Sequence, residues 1–308
     1  MTFRSSPAFA VAMADTRPAL AVVTGGKSGI GRALAIKIAS FPFIDQVLAV
    51  SRYIKQEDVE GCAKVTPLAA DVSTEQGRTA IATEVERICG PRHQRTKQLR
   101  FLVHSAGIIE PVTPVLDVLP QDLRQAMNVN CEAPFFLTTA LYDYMTPLDA
   151  RGVAGRVLHV STGAAHGAPP VGWSVYGITK AAFFQSFRVL EREYRELGGS
   201  VVVGSFKPGV VDTTMQGTIR SAPKESMPTV DVFKGMKERV ALPSELHKAR
   251  PPPRGTLDTP ENVAHFAEFL LVGCDDETFA NRDNPSEWDI RLPENFPLWI
   301  PEENLPKH

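Results

Sequence analysis

Tyr176 and Lys180, four positions apart, are the residues whose types and spacing most clearly suggest chemistry. On an α-helix this spacing places the phenol and the ammonium group on one face. A phenol with a pKa of about 10 is a poor acid–base catalyst at neutral pH, but a nearby fixed cation stabilises its phenolate and lowers that pKa. The pair is therefore a candidate proton donor, although an isolated pair at this spacing is common on ordinary helix surfaces.

A glycine-rich turn near the start of the chain has the residue types that hold phosphate groups. The segment Thr24-Gly25-Gly26-Lys27-Ser28-Gly29-Ile30-Gly31 lies between an apolar run and a helix-period segment. Gly25 permits a tight turn, Gly29 lets the backbone approach a pyrophosphate, and Gly31 allows close packing of helix on strand. The helix N-terminus that follows offers free amides and the positive end of its dipole. This pattern predicts a nucleotide-binding turn.

The elements that must position these groups alternate along the chain. Short apolar runs alternate with helix-period segments, which is typical of parallel βαβ units. We expect strands at residues 19–24, 46–51, 64–69, 100–104, 156–161, 200–206 and 288–290. The sequence therefore predicts an α/β fold, with a single doubly wound Rossmann-type domain and a seven-stranded parallel sheet over residues 19–291.

Three segments lack this rhythm. Residues 1–18 are interpreted as a flexible N-terminal extension, and organellar targeting by this segment stays open because it contains two Arg and one Asp among several Ser and Ala. Residues 212–258 contain Pro251-Pro252-Pro253 and predict a loop-rich substrate region, since long loops in compact domains often act as lids. Residues 292–308 form a Pro-rich tail that cannot be a regular helix.

The composition excludes several classes of protein. The 308 residues are 43% hydrophobic and 22% charged, which is enough to bury a large core. A net charge of -2 provides no overall field that would recruit nucleic acid or an anionic membrane surface. No apolar run approaches the about 18 residues of a membrane helix. We expect a cytoplasmic protein with a small-molecule partner and no nucleic-acid or membrane partner.

The four cysteines give no sign of a metal site. Cys62, Cys89, Cys131 and Cys274 are far apart in sequence, so they form neither a CxxC pair nor a zinc-type cluster. We interpret them as reduced intracellular thiols and expect no metal.

The order of the motifs resembles the short-chain dehydrogenase/reductase family over nearly the whole chain. The family's glycine-rich turn, a helix Asn, a strand-end Ser or Thr, YxxxK and a PG motif follow one another here in the same sequence. By this resemblance Asn130 corresponds to the Asn that holds a water in the proton relay, and Lys180 also binds the nicotinamide ribose. Thr213, in Pro208-Gly209-Val210-Val211-Asp212-Thr213, corresponds to the Thr that contacts the nicotinamide carboxamide.

The cofactor expected from this resemblance and from Arg52 is NADPH. Arg52 ends the second predicted strand, where an acidic residue would bind the ribose hydroxyls of NAD, and a guanidinium favours a 2′-phosphate instead. Lys27 adds a second cation nearby. The predicted cofactor-binding residues are Thr24, Gly25, Lys27, Ser28, Gly29, Ile30, Gly31, Arg52, Asp71, Val72, Ser105, Ala106, Gly107, Tyr176, Lys180, Pro208, Gly209, Val211 and Thr213.

Two positions depart from the family pattern. The usual Asn-Asn-Ala-Gly is here His104-Ser105-Ala106-Gly107, where Ser105 lacks the second amide contact that would tie neighbouring strands together. The substrate-orienting serine is replaced by the pair Ser161-Thr162, and either hydroxyl could polarise a carbonyl. Thr162 is preferred because its spacing to Tyr176 fits better, and Ser161 stays open. The predicted catalytic residues are Asn130, Thr162, Tyr176 and Lys180.

Closer similarity points to the sepiapterin reductase and benzil reductase branch. Gly172-Trp173-Ser174-Val175-Tyr176 and the segment after Pro208 carry this resemblance. It implies an NADPH-dependent carbonyl reductase that transfers hydride to a ketone or vicinal dicarbonyl, with benzil-like or pterin side-chain substrates. Trp173 would stack on a flat substrate, and Asp289 lies where sepiapterin reductases anchor the pterin. Two alternatives stay open: a catalytically idle NADPH-binding sensor or interaction protein, and alcohol oxidation as the direction of flux.

Adjacent aromatic residues on two predicted helices suggest an interface. Phe135 and Phe136, like Phe183 and Phe184, must point about 100° apart on a helix. One ring of each pair can therefore leave the face that packs on the sheet. This favours a helix–helix homodimer, which the family resemblance also implies, while a core wide enough for both rings is the alternative.

Overall fold

A computed structural model describes residues 6–14, 17–150, 152–238, 248–252, 254–281 and 287–305. Within these residues seven parallel strands pair in the order β3-β2-β1-β4-β5-β6-β7. The strands are β1 (Ala19–Thr24), β2 (Ile44–Ser51), β3 (Val65–Ala69), β4 (Gln98–His104), β5 (Gly155–Val160), β6 (Val201–Lys207) and β7 (Trp288–Asp289). The predicted doubly wound sheet is confirmed, and the strand ends differ from the predicted ones by one or two residues.

Helices cover both faces of the sheet, which explains why its central strands are continuous apolar runs. One core joins α2 (Gly29–Ala39) and α9 (Pro260–Glu268) to the sheet, and the other joins α3 (Glu75–Cys89), α5 (Ala133–Met145) and α6 (Ser174–Glu196) to its opposite face. The remaining helices of the described chain are α1 (Pro7–Ala14), α4 (Pro120–Met127), α7 (Thr214–Arg220), α8 (Val230–Glu238), α10 (Asp276–Ala280) and α11 (Phe296–Trp299).

The strand order reverses between β1 and β4, and this reversal positions the site. In open parallel sheets, ligands bind in the crevice outside the carboxyl ends of the strands at such a switch point. The loops that leave β1 and β4 are the glycine-rich turn and the segment Ser105-Ala106-Gly107.

The N-terminal segment differs from the flexible extension that its sequence suggested. Pro7–Ala14 forms α1, whose Phe9 and Met13 pack against the core that joins α2 and α9 to the sheet. The Ser6 hydroxyl donates to the Gly273 carbonyl at 3.0 Å. The reason is that this short segment is rich in apolar side chains, which gain more from burial than their ordering costs. Residues 1–5 and 15–16 lie outside the described residues.

The segment 212–258 is more regular than predicted, because it contains α7 and α8. Both helices are short, at seven and nine residues, so their periodicity was too brief to stand out in the sequence. Residues 239–247 and Pro253 lie outside the described part. The prolines of the tail predict no regular helix, but the tail contains the four-residue α11, with the 3-10 turns Pro293–Asn295 and Glu302–Asn304 on either side of it. The tail also packs on the core through Trp299 and Ile300.

None of the helices in the described ranges is both long enough and apolar enough to cross a membrane.

Candidate active site

A cavity of about 490 Å³ opens at the carboxyl edge of β1 and β4. The predicted site residues that line it come from separate parts of the chain: Gly25, Lys27, Ser28, Gly29, Ile30, Gly31, Arg52, Asp71, Val72, Ser105, Ala106, Gly107, Thr162, Tyr176, Lys180, Pro208, Gly209, Val211 and Thr213. Thr24 and Asn130 are not among the lining residues. Both lie behind the wall, where they hold other groups in place.

The conformation of the glycine-rich turn requires glycine at two of its positions. Gly25 has φ of +72°, and a Cβ at this position would lie 2.8 Å from the Ala106 nitrogen. A Cβ at Gly31 would overlap the Gly25 carbonyl oxygen. Ser28, which precedes α2, makes no side-chain capping hydrogen bond, so the first amides of that helix remain available as donors to an anion.

Thr24 ties the two loops of the crevice together. Its Oγ1 accepts hydrogen bonds from the backbone nitrogens of Ser105 and Ala106, each at 3.2 Å. The sequence suggested that Ser105 would leave the neighbouring strands without a tie. Thr24 supplies that tie from β1, and the Thr24 side chain is therefore a positioning group rather than part of the cavity wall.

His104, the other departure from the family pattern, also makes a structural contact. Its Nε2 hydrogen-bonds with the Thr138 hydroxyl at 2.8 Å, and its ring lies edge-on to His159 with centroids 5.3 Å apart. Burial lowers the pKa of His104 to about 3, so the imidazole is neutral at physiological pH. His104 thus joins β4 to α5 without adding charge beneath the cavity.

The end of the cavity near β2 carries the cation predicted from the sequence. Arg52 is exposed, and its guanidinium lies 5.8 Å from the Tyr53 ring centroid. The Lys27 ammonium group already has protein partners and is less available to a phosphate than its position in the turn suggested. Its Nζ donates to the Tyr53 carbonyl at 2.9 Å and lies 3.6 Å from Asp58. Arg52 is therefore the better placed of the two cations to meet a phosphate.

Tyr176 and Lys180 lie one turn apart on α6, and both are buried. The Lys180 Nζ donates to the carbonyl oxygen of Val160, at the end of β5, at 3.0 Å. It also lies 4.3 Å from the ring centroid of Phe183. These contacts hold the ammonium group at one position between the helix and the sheet.

Burial shifts the pKa values of this pair in opposite directions. It raises the pKa of Tyr176 to about 12, an effect partly offset by the Thr162 hydroxyl. It lowers the pKa of Lys180 to about 8, against the attraction of Glu287 and Cys131. The net shift of the Tyr176 pKa is therefore opposite to the lowering expected from Lys180, because desolvation disfavours the charged form of both groups and is the largest effect on each. Tyr176 is a neutral phenol at pH 7 and can donate a proton.

The two candidate hydroxyls next to β5 differ in their contacts. The Thr162 side chain interacts with the Tyr176 phenol and accepts a hydrogen bond from the Ala164 nitrogen at 3.3 Å. The Ser161 Oγ is buried and has no hydrogen-bond partner among the described residues. Both residues line the cavity, but the contact with Tyr176 favours Thr162 as the group that would orient a carbonyl.

Asn130 occupies a π-helical turn, Asn128–Glu132, between α4 and α5. Its Oδ1 accepts from the Ile108 nitrogen at 2.8 Å, and its Nδ2 donates to the Ile108 carbonyl at 2.8 Å and to the Thr179 hydroxyl at 2.9 Å. Both amide hydrogens are thus used by protein groups. The side chain joins the loop after β4 to the helix that carries Tyr176.

The end of the cavity near Tyr176 includes residues that the motifs did not reveal. Trp173 lines it, as the sequence suggested, with its ring 5.8 Å from that of Tyr176 and 5.5 Å from that of Phe233. Phe233 and Arg291 also line the wall. Both lie in segments without a family motif, so only the aromatic and cationic residue types in 212–258 and after β7 could have signalled them.

Asp289 is not available as an anchor for a pterin. Its carboxylate accepts from the Arg291 Nε at 3.1 Å and Nη2 at 3.0 Å, and it lies 3.4 Å from the Lys207 Nζ. Asp289 also does not line the cavity, so the structure gives no support to the pterin contact expected from its position.

Comparisons with known proteins agree with this geometry. Residues 19–224 match the family model described as short chain dehydrogenase. Benzil reductase ((S)-benzoin forming) of Bacillus cereus is 27% identical over 81% of this chain and 92% of its own length. Sepiapterin reductase of Rattus norvegicus is 31% identical over 66% of this chain and 78% of its own. The enzyme KRED1-Pglu, whose crystal structure is known, is 26% identical in sequence to this chain. The two structures match with a TM-score of 0.68 over 85% of this chain and 98% of the KRED1-Pglu chain.

Proposed function

Since this chain belongs to the short-chain dehydrogenase family of oxidoreductases, we propose that it is an NADPH-dependent carbonyl reductase acting on ketones, with vicinal dicarbonyls preferred. One observation carries the proposal: a buried phenol, in contact with the Thr162 hydroxyl and one turn from a buried lysine, lines the same cavity as the glycine-rich turn. That arrangement suits proton donation to a carbonyl oxygen beside a bound dinucleotide.

The nicotinamide cofactor supplies the hydride when bound. The first amides of α2 would hold its phosphates, and by family resemblance Lys180 would hold the ribose and Thr213 the carboxamide. The Thr162 hydroxyl orients the carbonyl oxygen toward Tyr176. As negative charge develops on that oxygen, it becomes a stronger base than a phenolate, so a phenol with a pKa of about 12 still donates its proton. The Lys180 ammonium then stabilises the phenolate.

The preference for NADPH rests on Arg52. Its exposed guanidinium is at the end of β2 and lines the cavity, and its planar fork suits a phosphate group. No carboxylate stands at this position, so the ribose hydroxyls of NADH have no acidic partner there.

The dicarbonyl preference rests on the relatives and on the aromatic wall. Benzil reductase and sepiapterin reductase are among the proteins that this chain resembles. Trp173 and Phe233 form an apolar surface suited to a flat substrate. An adjacent carbonyl withdraws electron density and eases hydride addition. The pairing of Asp289 with Arg291 argues against pterins as the preferred class.

The deciding measurement is kcat/KM with NADPH for benzil, 1-phenyl-1,2-propanedione, sepiapterin, acetophenone and a steroid ketone. We expect the dicarbonyls to be reduced fastest. A higher kcat/KM for the steroid or acetophenone than for every dicarbonyl would reject the proposed substrate class and leave the reductase proposal unaffected. Tyr176→Phe is the control: turnover should fall about 10²- to 10⁴-fold while NADPH still binds. NADPH binding without turnover of any carbonyl would instead indicate a cofactor-binding sensor.

A further inference from the structure

Arg291 is a fixed cation on the wall of the cavity next to the proposed catalytic hydroxyl. It follows β7, half of its side chain is exposed, and it lines the cavity. Its Nη2 lies 3.9 Å from the position that a Cβ at Gly163 would take, and Gly163 directly follows Thr162. Its Cδ lies 3.2 Å from the corresponding position at Gly209, in the loop after β6. The guanidinium therefore stands between these two loops.

Asp289 holds the guanidinium by one edge and leaves another edge available. The carboxylate accepts from Nε and Nη2 of Arg291, and it also accepts from the Arg291 backbone nitrogen at 2.9 Å. Nη1 has no hydrogen-bond partner among the described residues. Because a guanidinium carries five N–H donors in a rigid plane, the edge formed by Nη1 and Nη2 can still pair with a second carboxylate.

The carboxylates near this edge are already paired with other groups. Asp289 has a side chain that is only 6% exposed, and it faces both Arg291 and Lys207, so two cations share one anion. Asp71 is the single carboxylate that lines the cavity within the described residues, and it belongs to the cofactor-binding group with Arg52. Asp289 does not line the cavity and already pairs with Arg291 and Lys207, and the buried Glu287 is bound to His166 and Ser205. An anionic group beside Gly163 would therefore meet no lining carboxylate there.

We propose that Arg291 binds a carboxylate of the substrate, so that the preferred carbonyl compounds are 2-oxo acids. The inference rests on the proposed reductase function and names its substrate class more narrowly. Thr162 and Arg291 line the same cavity, and the Arg291 Nη2 lies next to Gly163, the residue that follows Thr162. A substrate that contacts both groups therefore needs its anionic group close to its carbonyl. A 2-oxo acid meets this requirement, because its carboxylate occupies the place of the second carbonyl in a vicinal dicarbonyl.

The test uses two substrates that differ in charge and little else, benzoylformate and methyl benzoylformate. With NADPH, the kcat/KM for the acid should exceed that for the ester in the unmodified protein. Arg291→Gln should lower kcat/KM for the acid about 10- to 100-fold and change the ester less than about threefold, because a charged hydrogen-bonded pair is lost for the acid alone. Arg195→Gln, at an exposed arginine near the end of α6 that does not line this cavity, is the matched control and should change neither.

A binding measurement separates this inference from the reductase proposal. Calorimetric titration of the NADP-bound protein should show benzoate binding more tightly than benzamide, and Arg291→Gln should remove the difference. If no carbonyl is reduced, the reductase proposal fails, and the benzoate titration still decides the role of Arg291. Equal binding of benzoate and benzamide, or an ester preferred over the acid, overturns the inference.

Arg291→Lys tests whether the effect of Arg291→Gln comes from the lost charge or from a disturbed loop. It keeps the positive charge and should retain a preference for the acid, with affinity reduced because a lysine cannot pair bidentately. Thermal unfolding of each variant reports whether the pair with Asp289 was needed for folding. A folded Arg291→Gln protein that keeps the full preference for the acid also rejects the proposal.

Discussion

In the two central residues of the site, burial disfavours the charged form of each side chain. Desolvation raises the pKa of Tyr176 to about 12 and lowers that of Lys180 to about 8. At pH 7 the phenol therefore keeps its proton and the amine keeps its charge, which is the combination that carbonyl reduction requires. The Lys180 pKa is close to neutral pH, so the loss of its proton should be visible in a pH profile.

The rate of carbonyl reduction should therefore fall as pH rises through about 8. A lysine with a lowered pKa is charged only below that value, and its loss of charge removes the support for the phenolate. The measurement is kcat/KM from pH 6 to pH 10. Lys180→Arg, which stays charged throughout this range, should remove the decline in whatever activity it retains. A rate constant that stays level up to pH 10 contradicts the assignment.

A second prediction at this scale concerns Arg52. NADPH should bind more tightly than NADH, and Arg52→Asp should narrow or reverse the difference, because a carboxylate repels a 2′-phosphate and accepts hydrogen bonds from ribose hydroxyls. Equilibrium titration with both cofactors measures this. Arg195→Asp, at an exposed arginine on α6 that does not line the cavity, is the control and should leave the ratio unchanged. Equal affinities in the unmodified protein would refute the role of Arg52.

At the scale of elements, the π-helical turn at Asn128–Glu132 holds the loop after β4 and α6 in fixed positions. The turn interrupts the path from α4 to α5 and places Asn130 between the loop after β4 and α6. π-helical turns often occur at functional sites, where they aim a side chain that a regular helix would direct elsewhere. Here the side chain supports the cavity wall from behind.

Asn130→Leu should destabilise the fold by about 2 to 4 kcal/mol, because it leaves the backbone groups of Ile108 buried without their partners. Urea unfolding followed by circular dichroism measures this change. Asn128→Leu, in the same turn at a less buried position, is the matched control and should cost much less. Equal losses for the two variants would show that the turn, rather than the Asn130 contacts, carries the stability.

At the scale of the whole molecule, the two rings of each adjacent aromatic pair differ in exposure, as their spacing on a helix predicts. Phe183 is buried and Phe184 is only half-buried, while Phe136 is 48% exposed beside the half-buried Phe135. Phe136 on α5 and Val189 on α6 therefore present apolar surface on neighbouring helices. Burial of such surface against a second copy would give a twofold-symmetric interface, so the homodimer stays our expectation.

Sedimentation velocity should show a dimer at micromolar concentration. The double variant Phe136→Asp, Val189→Asp should be a monomer, since two carboxylates would have to be buried at the interface. Leu116→Asp, at a residue that is 93% exposed on another surface, should remain dimeric. A monomeric unmodified protein would reject this interface.

The sequence by itself determined the sheet, the nucleotide-binding turn and the Tyr176–Lys180 pair. Each is a local signal: a strand reveals itself by a short apolar run, and the turn and the pair by residue types at fixed spacing. Such signals place a residue on an element and say which elements follow one another. They also predicted most of the cavity wall, because the carboxyl ends of parallel strands meet at one edge of the sheet.

Only the tertiary structure decided which side chains meet at that edge. Thr162 rather than Ser161 contacts the phenol, Asn130 supports the wall without lining it, and Arg291 reaches the cavity from 115 positions beyond Tyr176. The pKa directions of Tyr176 and Lys180 also depend on burial, which no local spacing encodes. These features arise from packing between distant segments, and a residue's contacts across the chain depend on the geometry of all the elements between them.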